Sequence, residues 1–528
     1  MGNASIPDDH GAGQAAKRYD EVPYLSAPNA LLDPARLAAV AILNGHDAPD
    51  PTTAKVLEIG CATGGHIIPL AAHCLNAVYL GVDVSAVQIA AGSARVARLG
   101  LANIRLEAKS VTDISPGDGP FDYIICHGVF SWVSEPIRRA ILSQCSALLS
   151  PNGMAAISFN VLPGWRMLQV VRDTALLHAS RFSTPEEKAR EMRSLFAAMA
   201  KMTVETSSYG SIWRKELAIM TANPDYYLLH ELLEDDNTPM TFSDFASAAA
   251  THGLNYLGDA NFLTGIPENS NSERAGLIRA LAQNDVLMTE QYIDIVIGRT
   301  FRSALVVKTD GRTSIAFDTH LDRLKDMHFI SALDLSCEDS GTGKFLLKDS
   351  RTRETEINGS AVGHAVKCLL ERRPSSSMIA DLIPAGASDA EKAEIAFCMT
   401  RLVCMGLIDA SVMPLHCPAW PLTTPRIWPL AASDAASGAP STATRRHASF
   451  TISDRSRFLF GLADGTRTLD GIAENLLSML SGGGASISEN GKPITDVDRL
   501  RQIAKNTVAE EFETFARVGL LADTTATD

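Results

Sequence analysis

Long apolar runs are absent from this chain of 528 residues. None approaches the length of about 18 residues that a membrane-spanning helix needs. The segment from Met1 to Gln14 is polar and acidic, and it lacks the basic and apolar segments of a secretory signal. We therefore expect no membrane insertion and a cytoplasmic location.

Paired cysteines are also absent, because the nine cysteines are scattered and form no C-x-x-C pair of the kind that binds zinc. Their odd number argues against a disulfide framework, and several lie in apolar runs, where cysteine acts as a small hydrophobic residue. His416 and Cys417 follow Cys404 without an evident fourth ligand. We expect no metal site.

An excess of positive charge is the third missing feature. Lys and Arg number 47 against 61 Asp and Glu, which gives a formal net charge of −14. Residues 311–528 alone carry 23 basic and 28 acidic side chains. Because nucleic-acid binding depends on a basic surface, we expect no nucleic-acid partner. An acidic protein is compatible with a basic acceptor such as a lysine-bearing surface, although it does not require one.

The most informative feature present is a glycine-containing turn between two apolar runs. Glu58 precedes the turn, which contains Gly60, Ala62 and Gly64, and the second run ends at Asp83. Glycines permit a sharp turn and a close approach of the backbone to a ligand, and an acid at the second strand end can accept hydrogen bonds from ribose hydroxyls. The turn matches neither the dinucleotide fingerprint G-x-G-x-x-G nor a phosphate loop, which requires Gly-Lys-Ser/Thr.

Apolar runs alternate with helical patterns between residues 55 and 160. This alternation predicts an α/β fold with a doubly wound parallel sheet. In such sheets ligands bind at the carboxyl ends of the strands. The glycine turn, Asp83 and the segment from His127 to Trp132 all follow expected strands, so we predict a cofactor site at that edge.

Several segments resemble one enzyme family. The turn Glu58-Ile-Gly60-Cys-Ala62-Thr-Gly64 resembles the first motif of class I S-adenosylmethionine (SAM) methyltransferases, with Ala62 replacing the middle glycine. Further strings resemble the bacterial members that carry a methyltransferase regulatory domain, among them rickettsial protein-lysine methyltransferases that act on an outer-membrane protein. These strings are Tyr19-Asp-Glu-Val-Pro-Tyr24, Asp33-Pro-Ala-Arg-Leu37, His127-Gly-Val-Phe-Ser-Trp132, Ser158-Phe-Asn160-Val-Leu-Pro-Gly-Trp165, His230-Glu-Leu-Leu-Glu234 and Arg299-Thr-Phe-Arg302.

The resemblance implies a Rossmann-like core, SAM as cofactor and a set of site residues. The implied cofactor-binding residues are Tyr19, Tyr24, Glu58, Gly60, Ala62, Gly64, Asp83, Ser110 and Val111. The residues expected to form the methyl-transfer site are His127, Phe130, Trp132 and Asn160. Asp83 is expected to hold the ribose, Glu58 to orient the cofactor's amino group, and Tyr19 and Tyr24 either to cover the cofactor or merely to anchor the N-terminal arm.

Two positions depart from the family pattern. Phe159 stands where tyrosine is common, and Arg166 stands where histidine is common. We expect both to adjoin the acceptor pocket, so the acceptor cannot be assumed to be shared with the relatives.

The expected domain organisation has four parts. Residues 1–310 form the core, with an N-terminal arm and a helical insertion or regulatory region at about 166–238. Residues 311–420 form a winged-helix-like accessory unit, residues 421–447 a flexible linker rich in small polar residues, and residues 448–528 a second winged-helix-like unit.

The best-supported function is SAM-dependent methyl transfer to an amine, with protein lysine as the acceptor. Two alternatives stay open: a methyltransferase for a small molecule, and a SAM-binding regulatory protein without catalysis. A homodimer is also left open. The acids of the segment from His230 to Glu234 are candidates to receive a basic acceptor, and this string is not the zinc motif H-E-x-x-H.

Overall fold

A seven-stranded sheet forms the centre of the computed structural model. The structure describes residues 17, 19–261, 272–309, 320–350, 354–482, 488–489, 492–494 and 496–523. The strands are β1 (Lys55–Ile59), β2 (Val78–Asp83), β3 (Ile104–Ala108), β4 (Phe121–Cys126), β5 (Leu149–Asn160), β6 (Leu254–Asp259) and β7 (Phe301–Lys308). Their order across the sheet is β3-β2-β1-β4-β5-β7-β6.

The first five strands run parallel, and β7 runs antiparallel to both of its neighbours. Both faces of the sheet are covered. On β1, for example, Val56 and Leu57 are fully buried but belong to different apolar clusters, because successive side chains of a strand point to opposite faces. The predicted doubly wound α/β fold is therefore confirmed.

Eleven helices are described up to the end of β7. They are α1 (Pro34–Leu43), α2 (Ile67–His73), α3 (Ala86–Leu99), α4 (Glu135–Leu148), α5 (Trp165–Ala179), α6 (Pro185–Met202), α7 (Ser208–Ala222), α8 (Asp225–Leu233), α9 (Phe242–Thr251), α10 (Ser272–Leu281) and α11 (Val286–Ile297). Local sequence sets their ends. The Ser85 side chain caps α3 by accepting a hydrogen bond from Gln88, and Gly100 ends that helix in the left-handed conformation.

Helices α5 to α8 form a layer with its own apolar core, which contains Phe196 and Trp213. Thr184 and Glu187 form a capping box at the start of α6. This layer follows β5 directly, so it stands at the carboxyl end of that strand. Its position brings helical side chains to the edge of the sheet where a ligand would bind.

A buried ion cluster fixes α11 against the last two strands. Arg302 Nη2 lies 2.7 Å from Glu290 Oε2 and 2.8 Å from Asp294 Oδ1. Arg299 Nη1 lies 3.1 Å from Asp259 Oδ2. Because a buried charge that loses its partner costs about 3–5 kcal/mol, these residues hold the C-terminal end of the core together. Two of them come from the family-like string Arg299-Thr-Phe-Arg302.

The next unit combines two small sheets with three helices. Its elements are β8 (His328–Ser331), β9 (Ser336–Gly341), β10 (Lys344–Lys348), β11 (Glu354–Asn358), α12 (Ser360–Glu371), β12 (Ser377–Met378), α13 (Ile379–Leu382), α14 (Asp389–Cys404) and β13 (Ile408–Ser411). Its apolar core also includes Ala39 and Leu43 of α1. The expected boundary between residues 310 and 311 lies outside the described residues.

The last unit begins at residue 426. Its elements are β14 (Arg426–Ile427), α15 (Pro429–Ala436), β15 (Ser441–Ala443), β16 (Ser449–Thr451), α16 (Asp454–Leu462), α17 (Leu469–Ser481), β17 (Ser488–Glu489), β18 (Lys492–Pro493), α18 (Val497–Val518) and β19 (Leu521–Ala522). None of the described helices of the chain is long and apolar enough to cross a bilayer.

The expected flexible linker at 421–447 is wrong. This segment contains α15 and β15, and Asp434 on α15 is only 2% exposed. Arg95 on α3 donates two hydrogen bonds to the Asp434 carboxylate, at 2.8 and 2.7 Å. The small residues that suggested flexibility instead allow close packing, since Ala431 is fully buried.

Candidate active site

A cavity of about 810 Å³ opens at the carboxyl ends of the five parallel strands β1 to β5. We call the part lined by Glu58, Gly60, Ala62, Asp83, Ser110 and Val111 the strand-end half. We call the part lined by Trp132, Trp165, Arg172, Glu216, Tyr227 and Glu231 the helical half. Residues 19–29, which we call the arm, also line the cavity. Within the described part of the chain, no group of three or more His, Cys, Asp or Glu is placed to hold a metal.

The glycine turn has a backbone that ordinary residues rarely adopt. Gly60 and Gly64 have φ angles of +75° and +74°. A Cβ added at Gly60 would lie 2.3 Å from Cγ2 of Val129, so a side chain has no room there. Ala62 also takes a left-handed φ of 49°, a conformation that costs an L-residue about 1–2 kcal/mol. The turn is therefore held in a strained shape at the position where alanine replaces glycine.

Two acidic side chains flank this turn. Asp83 Oδ2 accepts a hydrogen bond from the Ala62 N–H and Oδ1 accepts one from the Ser85 N–H, both at 2.9 Å. Burial raises the pKa of Asp83, although these backbone hydrogen bonds oppose the rise. Burial and the neighbouring Asp83 raise the pKa of Glu58 well above its usual range. Glu58 Oε2 is buried without a hydrogen-bond partner in the described structure, which leaves it available to a ligand.

Ser110 and Val111, the expected adenine neighbours, both line the strand-end half. Ser110 caps a short 3-10 turn by accepting a hydrogen bond from Thr112, and Val111 is 6% exposed. The Lys109 N–H donates to the Asp83 carbonyl at 2.8 Å. This bond holds the segment beside the acid at the end of β2.

His127 follows β4 and lies on the cavity wall. Its Nε2 lies 3.4 Å from Asn29 Nδ2 of the arm. Its Nδ1 is buried and has no partner in the described residues. Burial lowers the pKa of His127 to about 4, so the ring is neutral at physiological pH.

Trp132 and Asn160 line the cavity as expected, and Trp165 and Arg172 lie beside them. The Trp132 and Trp165 rings meet edge to face, with centroids 6.2 Å apart. The guanidinium of Arg172 lies 5.9 Å from the centre of the Trp132 ring. Asn160 is 2% exposed and its Nδ2 has no partner in the described structure. Arg172 is likewise buried, and its Nη2 donates to the Glu234 carbonyl.

Four expectations about the site need correction. Phe130 is 1% exposed and packs edge to face on Phe245, inside the core rather than on the cavity wall. Gly64 shapes the turn but does not line the cavity. Phe159 stacks on Phe245 with centroids 4.4 Å apart, and Arg166 is exposed, so neither adjoins the cavity.

Carboxylates from α7 and α8 lie in the helical half. Burial raises the pKa of Glu216. Burial, opposed by Arg172 and reinforced by Glu216, raises the pKa of Glu231 to about 7. The Oε1 atom of Glu234 lies 2.7 Å from His230 Nδ1. Of the two acids expected to receive a basic acceptor, only Glu231 lines the cavity.

The arm crosses the cavity and is attached at both ends. At one end Tyr19 stacks on His230 with centroids 4.6 Å apart, and His230 Nε2 lies 2.7 Å from the carbonyl of Val22. At the other end Ser26 Oγ accepts a hydrogen bond from the Gly65 N–H at 2.7 Å. Tyr19 and Tyr24 thus lie on the cavity wall, and His230 anchors the arm.

Sequence reasoning missed most of the helical half. Glu216, Tyr226, Tyr227 and Arg172 come from three helices whose patterns resemble ordinary amphipathic helices. The one available signal was the pair Tyr226-Tyr227 in a segment that contains four acids up to residue 237, which is an unusual concentration of aromatic and acidic side chains.

Comparison with known proteins matches three families to different parts of the chain. The family described as "Methyltransferase domain" matches residues 56–153, and "PKMT, C-terminal winged helix domain" matches residues 424–520. "Predicted methyltransferase regulatory domain" matches residues 224–308. The regulatory match therefore covers α8 to β7, and it overlaps the expected region at about 166–238 only over residues 224–238.

Two curated relatives come from Rickettsia prowazekii (strain Madrid E). The uncharacterized protein RP789 is 40% identical over 305 residues, which are 57% of this chain and 55% of that protein. The uncharacterized protein RP028 is 36% identical over 232 residues, which are 44% of this chain and 93% of that protein. The match thus spans about half the length of RP789 and nearly all of RP028.

A solved structure resembles the whole molecule. It is PKMT2 from Rickettsia typhi in complex with AdoHcy, with a TM-score of 0.84 and 25% sequence identity. The alignment covers 94% of this chain and all of that chain. The likeness therefore extends from the sheet through both accessory units.

Proposed function

Because this chain belongs to the SAM-dependent methyltransferases that carry a methyltransferase regulatory domain, we propose that the amine it methylates is a protein lysine. The resemblance to rickettsial protein-lysine methyltransferases and the overall likeness to PKMT2 support this acceptor. The observation that carries the proposal is the carboxylate of Glu231, which lies in the helical half of the cavity among aromatic rings.

The strand-end half suits the cofactor. SAM combines a charged amino acid, a ribose and an adenine, and it supplies a methyl group bound to a positively charged sulfur. Glu58 Oε2, buried without a partner among the described residues, suits the cofactor's ammonium group. Asp83 suits the ribose hydroxyls, as acids at this strand position do. The absence of room for a side chain at Gly60 lets the backbone approach a ligand closely.

The helical half suits a lysine side chain. Trp132 and Tyr227 offer ring faces to an alkyl chain and an ammonium group. Glu231 offers a negative charge, and it forms no ion pair with the described residues, unlike Glu234. A lysine that enters this space loses water, which lowers its pKa from the usual value of about 10.4.

Glu231 would act before methyl transfer by holding the ammonium and taking up its proton. A proton acceptor works best when its pKa is near the working pH. The pKa of Glu231, raised by burial to about 7, meets that condition. Arg172 is the cation beside it and would keep part of the Glu231 population ionised. Trp132 and Trp165 would position the amine and exclude water.

The first experiment is methyl transfer from radiolabelled SAM into a size-fractionated bacterial lysate, with Asp83→Ala as the control. Label in protein bands that disappears with the variant supports protein methylation, and mass spectrometry then identifies the modified residue. Label only in the small-molecule fraction supports a metabolic methyltransferase. SAM binding without any transfer supports the regulatory alternative and contradicts the proposal.

A further inference from the structure

One histidine of the winged-helix unit contacts the residue that follows the glycine turn. His66 directly follows Gly64-Gly65, and its Nδ1 lies 2.8 Å from Nε2 of His447. His447 lies in the turn between β15 and β16, within the matched winged-helix segment. Both rings are at least 95% buried, since their exposed fractions are 4% and 5%. The two sites are 381 positions apart in the sequence.

The hydrogen bonds around His66 determine which nitrogen carries its proton. The backbone N–H of Asn29, which can only donate, points to His66 Nδ1 at 3.3 Å. Nδ1 must therefore accept, and His447 Nε2–H must donate to it. Burial and the two neighbouring histidines lower the pKa of His66 well below its usual range, although an interaction with the Leu32 backbone opposes the fall, so the ring is neutral. Its single proton then lies on Nε2.

His66 Nε2 has no partner in the described residues, and His66 lines the cavity. The same reasoning applies to His127. Asn29 Oδ1 accepts from the Leu31 N–H at 3.1 Å, so Asn29 donates to His127 Nε2 through Nδ2, and the His127 proton lies on Nδ1. Two N–H donors without partners, one on each side of Asn29, thus border the strand-end half.

We infer that His447 is a positioning residue for cofactor binding: it fixes His66 with Nε2–H as a donor to the carboxylate of SAM, so the winged-helix unit completes the cofactor site. A carboxylate is the only anionic group of SAM, and it is the group that two neutral N–H donors recognise. This role does not depend on which amine is methylated. The backbone at His447 has a left-handed φ of 55°, a conformation that residues with a Cβ rarely adopt, and the surrounding contacts retain it.

The test compares three variants by calorimetric SAM titration of the full chain. His447→Phe removes the donor and leaves His66 Nδ1 with a single weak bond, so the Kd for SAM should rise about tenfold. His447→Gln keeps an N–H donor of similar reach and should restore the Kd to within about threefold of the wild type. Asp434→Asn weakens the same interface through Arg95 without touching His66, so it should lower the Tm and leave the Kd for SAM unchanged.

The second measurement is ¹⁵N NMR of the wild-type protein with labelled histidines, which reports the tautomer of each ring and needs no variant that might fail to fold. We expect the His66 signal, assigned with His66→Gln, to show the Nε2–H form before SAM is added. A His66 proton on Nδ1 would overturn the inference. So would a folded His447→Phe protein with the wild-type Kd, or an Asp434→Asn protein that loses SAM as strongly as His447→Phe.

Discussion

The strand-end half of the cavity and the helical half are assembled differently. The first uses residues at the ends of the neighbouring strands β1, β2 and β3 and in the turn after β1, and several of its contacts are made by backbone groups. The second gathers Trp132 and side chains from helices α5, α7 and α8, which meet only after the chain has packed. A cofactor site can therefore be specified by a short sequence, whereas an acceptor site depends on tertiary arrangement and can change with few substitutions.

The largest effect should come from Asp83→Ala in the strand-end half. The Kd for SAM should rise about 100-fold, because a charged acceptor of two ribose hydrogen bonds is lost. Calorimetric titration measures this directly. Asp83 also accepts from Ala62 and Ser85, so thermal unfolding must be measured in parallel. A wild-type Kd in the variant would mean that Asp83 does not hold the ribose.

The next effect separates two acids three positions apart, Glu231 in the helical half and Glu234, which does not line the cavity. Glu231→Gln should lower kcat/KM for a lysine peptide about 30-fold and leave the Kd for SAM unchanged, because it removes a charge-assisted contact to the acceptor. Glu234→Ala removes the partner of His230 instead, and should weaken SAM binding through the arm. If both variants raised the KM for the peptide equally, the distinction between them would be wrong.

The pH dependence of kcat/KM for the wild type and for Glu231→Gln tests whether the charge of Glu231 matters. An acid with a pKa of about 7 is mostly protonated at pH 6 and mostly ionised at pH 8. Only the ionised form can hold an ammonium or accept its proton, so the contribution of Glu231 increases as the pH rises. The ratio of wild-type to Glu231→Gln kcat/KM should therefore grow by up to about tenfold between pH 6 and 8, as the ionised fraction of Glu231 does. A constant ratio would remove Glu231 from the reaction.

The smallest effect is expected from a substitution in the glycine turn, at Ala62. Ala62→Gly relieves a left-handed alanine, a gain that the larger conformational entropy of glycine in the unfolded chain partly cancels. We expect the Tm to rise by about 1 °C and the Kd for SAM to change less than about twofold. Differential scanning calorimetry can detect the change. A loss of stability would show that neighbouring contacts have adapted to the alanine methyl group.

The same contrast explains what the sequence could predict. The fold and the strand-end residues followed from alternating apolar runs and from an acid near the carboxyl end of each of two strands, which are local signals. Phe130 and Trp132 lie two positions apart in one 3-10 turn, yet one enters the core and the other the cavity. No local pattern separates them, because Phe245 from α9 decides the position of Phe130.

The segment at 421–447 shows the opposite failure. Its alanines and serines have the composition of a linker. Composition does not reveal that Asp434 forms an ion pair with Arg95, which lies in a distant part of the chain. His447 was missed for a similar reason. A single histidine in a turn gives no functional signal in the sequence, and its role is inferred only from its hydrogen bond with His66 in the structure.

One cluster of buried apolar side chains is shared by the winged-helix unit and the large sheet. The winged-helix unit contributes Trp428, Leu430 and Ala443, and the sheet contributes Val56 and Tyr79. The two units are therefore not independent domains that can be separated by truncation. Truncation before residue 426 would expose to water the apolar side chains of the seven-stranded sheet that the winged-helix unit covers. A fragment that ends there is expected to aggregate. Heating should unfold the sheet and the winged-helix unit together, as one cooperative transition.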